Sequence, residues 1–317
     1  MRLPPQRPTD RVHVMTSGQV GSRVTPIGQP RLSQREFALF QALVYRESGI
    51  CLSDTKRMLV LGRLAGRLRT LGLTRFEDYY SLVLKDASEK TRMLDAICTN
   101  ETHFFREKGH YRFLEQTLLP QWLTAAASGR RPRRVRVWSA GCSSGEEPYS
   151  LAMTLAHHLG SNWQIEVFAS DISHKVLNRA EDGLWPISKS SEIPEHYLKA
   201  YMLRGKGAHA DLMKAGPYIR SLVRFSQVNL NASHPELHGQ FDLVFCCNVL
   251  IYFDGESKEQ AMNLLVRSLA GGGLLFLGSS EGLLGISHRL RAVAPTIYMA
   301  PDSSSFGNGR LAERGSA

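Results

Sequence analysis

The sequence predicts an α/β protein with a doubly wound, mostly parallel sheet, preceded by an all-α domain. Three observations support this. From Arg134 onward, apolar β-prone runs alternate with helical patterns, whereas residues 33 to about 108 show helical periodicity alone. A cluster of small residues at 139–145 also joins the first β-prone run to its helix. Alternation of this kind is typical of parallel sheets, whose ligands bind at the carboxyl ends of the strands.

The 317-residue chain is basic, with a net charge of +10, and residues 1–70 hold twelve Lys and Arg against four Asp and Glu. Such an asymmetry favours an acidic partner for the N-terminal part. Proline-bearing segments without periodicity predict disorder at both ends. The predicted organisation is a disordered basic tail (1–30), an all-helical domain (31–108), a linker helix (109–133), an α/β domain (134–300) with an insertion (183–220), and a disordered tail (301–317).

Four helices are predicted in the N-terminal domain. Ser33 and Glu36 form a capping box for the first, which Gly49 ends. The second begins near Ser53 and is expected to bury four leucines. A second capping box begins the third helix, and an apolar group marks the fourth. The residues that define the second, third and fourth helices are Leu61, Leu64, Leu68 and Leu71; Thr74, Phe76, Glu77, Tyr80 and Leu84; and Met93, Leu94 and Ile97.

A basic stripe is predicted on the second helix. At 100° per residue, Lys56, Arg63 and Arg67 fall within one narrow stripe, away from the leucines. The stripe is either a docking surface for an acidic partner or a solvated helix face.

In the α/β domain, strands are predicted at 134–138, 164–169, 223–228, 241–247 and 273–279, with helices at 146–158, 173–181 and 256–269. A closing antiparallel hairpin is expected between 290 and 300, broken by Pro295. The stretch 183–220 interrupts the alternation with several Gly and Pro residues, which predicts a small inserted antiparallel subdomain.

The small-residue loop after the first strand is the strongest local signal for a ligand. Gly141 and Gly145 permit close approach of a ligand to the backbone, but their spacing is not that of a dinucleotide site. Glu146 and Glu147 follow at once, where they would repel a pyrophosphate. A ligand that carries an amine and a carboxylate, such as the methionine end of S-adenosylmethionine (SAM), suits this loop better.

Polar side chains end the following strands. Asp171 is placed to bind ribose hydroxyls, although it could instead cap the next helix. Asn229 and Asn248 emerge at the ends of the third and fourth strands. Each alone would be a turn residue more often than a ligand contact. Because both are expected beside Gly141 and Asp171, we favour ligand contacts.

Five motifs occur in order along the chain: Asn-x-Thr-x-Phe-Phe-Arg (100–106), Ser-Ala-Gly-Cys-Ser-Ser-Gly-Glu-Glu-Pro-Tyr-Ser (139–150), Phe-Ala-Ser-Asp-Ile (168–172), Val-Asn-Leu (228–230) and Cys-x-Asn-Val-Leu-Ile-Tyr-Phe (246–253). Together they resemble the CheR family of chemotaxis receptor methyltransferases, over residues 33 to about 300. On local features the first motif reads as a packing linker, and the resemblance reverses that interpretation.

The resemblance implies a cytoplasmic enzyme that uses SAM to methylate glutamate side chains of bacterial chemoreceptors. We expect the receptor to dock on the helical domain through the basic stripe. Tyr252 is implied near the transferred methyl group, and Arg106 and Tyr252 are expected to position groups and not to shuttle protons. Cys247 stands where the family usually has arginine, so a side-chain role there is not carried over. The implied SAM contacts are Asn100, Thr102, Arg106, Gly141, Glu146 or Glu147, Asp171, Asn229, Leu230, Cys247 and Asn248.

Two other functions compete with this interpretation. A nucleic-acid methyltransferase would fit the basic N-terminal part, but the Pro-Pro motif that amino-methylating enzymes carry after the fourth strand is absent at 248–252. A non-catalytic SAM-binding signalling module would fit the change at Cys247. No apolar run suggests a membrane span, and the five cysteines lack the spacing of a metal site.

The insertion carries one further expectation. The Arg204-Gly-Lys-Gly207 turn could leave a strand edge free to bind the C-terminal peptide of a receptor. If the insertion were only a tether, deletion of residues 186–216 would leave SAM binding intact.

Overall fold

The computed structural model describes residues 30–233, 235, 237–283 and 289–302. The predicted tails fall almost entirely outside these ranges. Within them, the fold is the predicted one: an all-α N-terminal domain and a mostly parallel sheet with a separate antiparallel sheet. The described ranges include no helix that is both long and apolar enough to span a bilayer.

The N-terminal helices are α1 (Gln34–Ser48), α2 (Arg57–Thr70), α3 (Phe76–Lys85) and α4 (Ala87–Ile97). Residues around Phe40, Leu64 and Tyr79 form their shared apolar core. The Ser33–Glu36 capping box is present, and Gly49 ends α1 in the left-handed region at φ 74°. A short 3-10 helix (Asp54–Lys56) precedes α2.

Two details of this domain differ from the prediction. Thr74 does not cap α3, because Arg75 occupies the N-cap and makes no side-chain cap bond. The buried positions of α3 are therefore Phe76, Tyr79 and Val83, and Leu84 is exposed. In α2 the buried set includes Val60, Leu64 and Leu68, whereas Leu61 is half-buried and Leu71 is exposed beyond the helix end.

A helical connection links the two domains through α5 (Lys108–Phe113), a π-helical stretch (Leu114–Leu118) and α6 (Leu119–Ala127). The later helices are α7 (Glu146–Leu159), α8 (His174–Asp182), α9 (Glu195–Tyr201), α10 (Pro217–Ser221) and α11 (Gly255–Arg267).

The strands are β1 (Arg134–Ala140), β2 (Gln164–Asp171), β3 (Leu184–Pro186), β4 (Met202–Arg204), β5 (Leu212–Ala215), β6 (Val223–Gln227), β7 (Phe241–Cys246), β8 (Leu269–Leu277), β9 (Arg291–Ala294) and β10 (Ile297–Met299). The main sheet has the order β6-β2-β1-β7-β8-β10-β9. Its first five strands are parallel, and β10 and β9 close it as the antiparallel hairpin expected around Pro295. Strand β8 begins four residues earlier than predicted.

In the sheet, β1 lies between β2 and β7. The next strand along the chain, β2, pairs on one side of β1, and the later strand β7 pairs on the other side, so the strand order reverses between β1 and β7. Ligands bind at the carboxyl ends of strands beside such a reversal.

The inserted subdomain has a three-stranded antiparallel sheet in the order β3-β5-β4. It also contains α9 and a 3-10 helix (Ile187–Glu192), which the sequence reasoning did not predict.

Candidate functional site

A cavity of about 410 Å³ lies where the N-terminal domain meets the carboxyl edge of the main sheet. Glu146 and Arg67 do not line it. The predicted site residues that do are Lys56, Arg63, Asn100, Thr102, Arg106, Gly141, Glu147, Asp171, Asn229, Leu230, Cys247, Asn248 and Tyr252. Sequence motifs separated by up to 150 residues therefore converge on one cleft.

The loop after β1 has the tight geometry that its small residues predict. Gly141 lies at φ 81°, and a Cβ at this position would approach Val249 Cγ2 to 2.4 Å. A side chain at residue 141 is therefore excluded both by the backbone conformation and by the neighbouring loop. Gly145, at φ 96°, then begins α7.

Glu146 and Glu147 have different environments. The Glu146 carboxylate is buried and accepts hydrogen bonds from Lys189 Nζ (2.5 Å) and Ser144 Oγ (2.7 Å). Glu147 faces the cavity and accepts a hydrogen bond from Ser139 Oγ at 2.7 Å. Burial raises the pKa of Glu147 to about 7. Of the pair, Glu147 is therefore the carboxylate available to a ligand amine.

Asp171 lies between the loop after β1 and the start of α8, at the wall of the cavity. Its carboxylate accepts backbone N–H groups from Ser143 (2.9 Å) and Ser173 (3.0 Å), so it ties the loop after β1 to the start of α8. The N-cap itself is Ser173, whose hydroxyl accepts from Val176 N. Burial raises the pKa of Asp171. Each carboxylate oxygen has a second lone pair, and the residue lines the cavity.

The Asn229 side chain is committed to the protein. Its Nδ2 donates to the carbonyl of Glu47 at 2.8 Å, and its Oδ1 accepts from Asn231 N. In this conformation the Asn229 amide is therefore engaged within the protein, and a ligand contact by this residue stays a prediction. Leu230 is buried and provides an apolar wall of the same cavity.

The loop after β7 is shaped by Glu281, a residue that the sequence reasoning missed. Its buried carboxylate accepts four backbone N–H bonds of 2.7–2.8 Å, from Asn248, Val249, Leu250 and Gly278. The only signal in the sequence was an acid just after the last parallel strand, at the same sheet edge. Glu281 thus fixes the loop that carries the predicted contacts.

Asn248 has two unusual features in this loop. It lies in the left-handed region at φ 61°, and among the described residues its buried Oδ1 has no hydrogen-bond partner. Cys247 Sγ lies 3.9 Å from His110 Nδ1, against the wall of the cavity. An amide oxygen without a partner in a polar cleft is a ready acceptor for a bound ligand.

The segment 99–106 forms another part of the cavity wall. The Asn100 carbonyl accepts from Ser143 Oγ (2.8 Å), and the Thr102 carbonyl accepts from Lys189 Nζ (2.9 Å). The Arg106 side chain is exposed at the cavity and donates to the Glu101 carbonyl.

The predicted basic stripe needs correction. Lys56 is exposed, but the Arg63 guanidinium donates to the Ile97 carbonyl and to Thr99 Oγ1. Arg67 makes two hydrogen bonds, of 3.0 and 2.6 Å, to the buried carboxylate of Glu89. The stripe is therefore not a freely solvated face, because its two arginines hold the helices together.

Comparisons with known proteins agree with this arrangement. Residues 100–299 match the family model described as CheR methyltransferase, SAM binding domain, and residues 35–98 match the CheR methyltransferase all-alpha domain. A chemotaxis protein methyltransferase of Escherichia coli is 38% identical over 272 residues, which cover 84% of this chain and 91% of that protein. One of Salmonella typhimurium is 37% identical, with 90% and 96% covered. Chemotaxis protein methyltransferase 2 of Pseudomonas aeruginosa is 36% identical, with 84% and 93% covered.

Proposed function

The chain belongs to the CheR methyltransferase family, and from this premise we propose that it methylates glutamate side chains of bacterial chemoreceptors in the cytoplasm, with SAM as the methyl donor. Family membership makes it a SAM-dependent methyltransferase of chemotaxis. The finer statements, on the acceptor residue and the partner, rest on the arguments that follow.

The observation that carries the proposal is the pair of carboxylates in one cleft, Glu147 on the β1 side and Asp171 at the end of β2. Glu147 is half-buried beside a hydroxyl, and a cationic amine would supply the countercharge that its site lacks among the described residues. Asp171 can accept from ribose hydroxyls, and Leu230 and Val228 can pack on an adenine. The residues present therefore fit SAM.

Further assignments in the site follow from position. We assign the Asn248 amide oxygen and the segment 99–106 to SAM as further contacts. For Asn229 we retain a backbone contact only, since its side chain is already bonded. Arg106 and Tyr252 line the cavity and are assigned to the substrate carboxylate and the methyl-transfer region.

The chemistry asks little acid–base work of these residues. When bound, SAM supplies an electrophilic methyl group on a sulfonium. A substrate glutamate is already ionised at neutral pH, so no general base is needed. Arg106 and Tyr252 then act by holding the attacking oxygen in line, and alignment of this kind contributes up to about 7–11 kcal/mol in model reactions.

Two surfaces are proposed for the receptor. Lys56 is an exposed basic residue that lines the cavity, and it suits an acidic receptor helix better than the two paired arginines of the stripe do. In the inserted subdomain, β4 is an edge strand with an exposed Leu203, and it could pair with an extended receptor tail.

Methyl-labelled SAM tests the proposal when it is incubated with the protein and with membranes of the same organism. The expected product is a labelled membrane protein that releases its label as methanol in mild alkali, as a carboxyl methyl ester does. A protein that binds SAM but transfers no label would be a signalling module. Label that nuclease digestion removes would instead identify a nucleic-acid methyltransferase.

A further inference from the structure

The inserted subdomain is bonded to the back of the segment 99–106, whose front lines the cavity. Its 3-10 helix, residues 187–192, supplies two charged side chains to this contact. The sequence suggested only a tether for the receptor, and these contacts give the insertion a second role.

Lys189 is the first of the two side chains. Its ammonium donates to the Thr102 carbonyl at 2.9 Å and to Glu146 Oε1 at 2.5 Å. Glu146 is only 1% exposed and stands at the start of α7. One lysine thus joins the segment 99–106 to the helix that carries Glu147. Because the carboxylate is buried, removal of the lysine would leave an unpaired charge behind the site.

Glu192 is the second. Its Oε2 accepts the Phe104 backbone N–H at 2.9 Å, and its Oε1 lies 3.4 Å from His103 Nδ1. Aromatic contacts with the subdomain reinforce these bonds. Phe104 packs edge-on against Trp185 at 5.0 Å, and Phe105 stacks on Tyr197 at 5.2 Å.

The backbone of the segment needs such support. Phe105 lies in the left-handed region at φ 53°, which is unfavourable for an aromatic residue. Its N–H is held by Ser150 Oγ of α7 at 3.1 Å. A strained conformation persists only where its surroundings determine it.

We propose that Lys189 and Glu192 are positioning residues for the cofactor: they hold residues 99–106 in the conformation that SAM requires, so that the inserted subdomain forms the back wall of the SAM site. The inference rests on the SAM-binding part of the proposed function. It replaces the expectation that deletion of residues 186–216 leaves SAM binding intact, because that deletion would remove both side chains.

The test uses Lys189→Met, Glu192→Ala and Glu192→Gln in the full chain. Lys199→Met is the matched control, since Lys199 lies in the same subdomain and, among the residues that the structure describes, its ion pair is with the exposed Glu195 of its own helix. We expect calorimetry to show SAM binding about tenfold weaker in Lys189→Met and several-fold weaker in Glu192→Ala. Glu192→Gln keeps an oxygen acceptor for Phe104 N–H and should restore affinity to nearly that of the control.

Two further readouts separate positioning from a general loss of structure. Amide hydrogen exchange of residues 99–106 in the absence of SAM should accelerate in Lys189→Met and not in the control. With substrate, KM for SAM should rise while kcat at saturating SAM is retained, because the lost interaction serves binding.

SAM affinity within twofold of the control in both Lys189→Met and Glu192→Ala would overturn the inference. If Lys189→Met does not fold, Glu192→Ala and its Gln counterpart decide the question. The calorimetric and hydrogen-exchange measurements need no receptor. Failure of the wild-type protein to label receptors would therefore contradict the proposed function and leave this inference standing.

Discussion

At the scale of the residue, identical side chains in neighbouring positions have acquired different roles. Glu146 and Glu147 cannot be told apart in the sequence, since both stand in the first turn of α7. The difference comes from Lys189, more than 40 positions later, which neutralises Glu146. Asn229 could not be assigned for the same reason: its partner, Glu47, belongs to the other domain.

SAM affinity should depend on pH through Glu147. The pKa of its carboxyl is raised to about 7 by burial, so below that pH the empty site holds a neutral acid and attracts an amine weakly. We expect affinity to fall by up to about tenfold per unit as pH decreases from 7 to 5.5, measured by calorimetry. The Glu147→Gln variant should bind weakly with no such slope. A retained slope in that variant would show that another group titrates.

The same raised pKa predicts the stability of the empty protein. The folded state holds the Glu147 proton more tightly than the unfolded chain does, whose pKa is near 4.5. Stability should therefore decrease as pH rises from about 4.5 through about 7. Thermal unfolding of wild type and Glu147→Gln across this range measures the contribution as the difference between their slopes. Parallel slopes would contradict it.

Asp171→Ala should weaken SAM binding by about 1.5–3 kcal/mol, because it would remove the two charge-assisted hydrogen bonds that we propose this carboxylate makes to the ribose. It also releases the backbone N–H groups of Ser143 and Ser173. Asp171→Asn keeps one oxygen acceptor and is the matched comparison. Unchanged affinity in the alanine variant would remove Asp171 from the site.

At the scale of the element, the sequence predicted the order and type of the helices and strands better than it predicted which residues of each helix are buried. The capping box at Ser33 was recognisable because both partners lie within one turn. The pattern at Thr74 looked the same, yet α3 begins at Phe76, where packing against Phe40 fixes the buried face. Long-range contacts of this kind leave no local signature in the sequence. The role of Glu281 could not be predicted for the same reason.

The loop that follows β7 should depend on Glu281. The Glu281→Gln variant replaces one accepting oxygen with an N–H₂ group that faces backbone donors. We expect methyl transfer to fall at least about tenfold, with a loss of stability of about 1–3 kcal/mol. Gly278→Ala is a companion variant, because its Cβ would approach Glu281 Oε2 to 2.7 Å. Normal kinetics in both variants would mean that the loop is fixed by other contacts.

At the scale of the whole molecule, we expect basic charge beside the cavity to contribute to binding of the acidic receptor. Lys56→Glu should weaken receptor methylation, reduce its salt dependence and leave SAM affinity unchanged. Arg67→Ala is unsuitable for this test, since it uncovers the buried Glu89 and should cost about 2 kcal/mol of stability. The control for Lys56→Glu is Arg69→Ala, which removes an exposed charge from α2. If Lys56→Glu methylates receptors normally, docking occurs elsewhere.

The contacts between the two domains at the cavity have a consequence for how the protein melts. The Asn229 side chain binds the Glu47 carbonyl, and Cys51 N donates to the Tyr252 carbonyl, so hydrogen bonds join the two units, the helical domain and the α/β domain, around the cavity. A ligand in that space touches both units and adds its binding energy to their association. The filled protein is thus expected to unfold in a single calorimetric transition. The empty one should show a broader profile, in which the helical domain separates first.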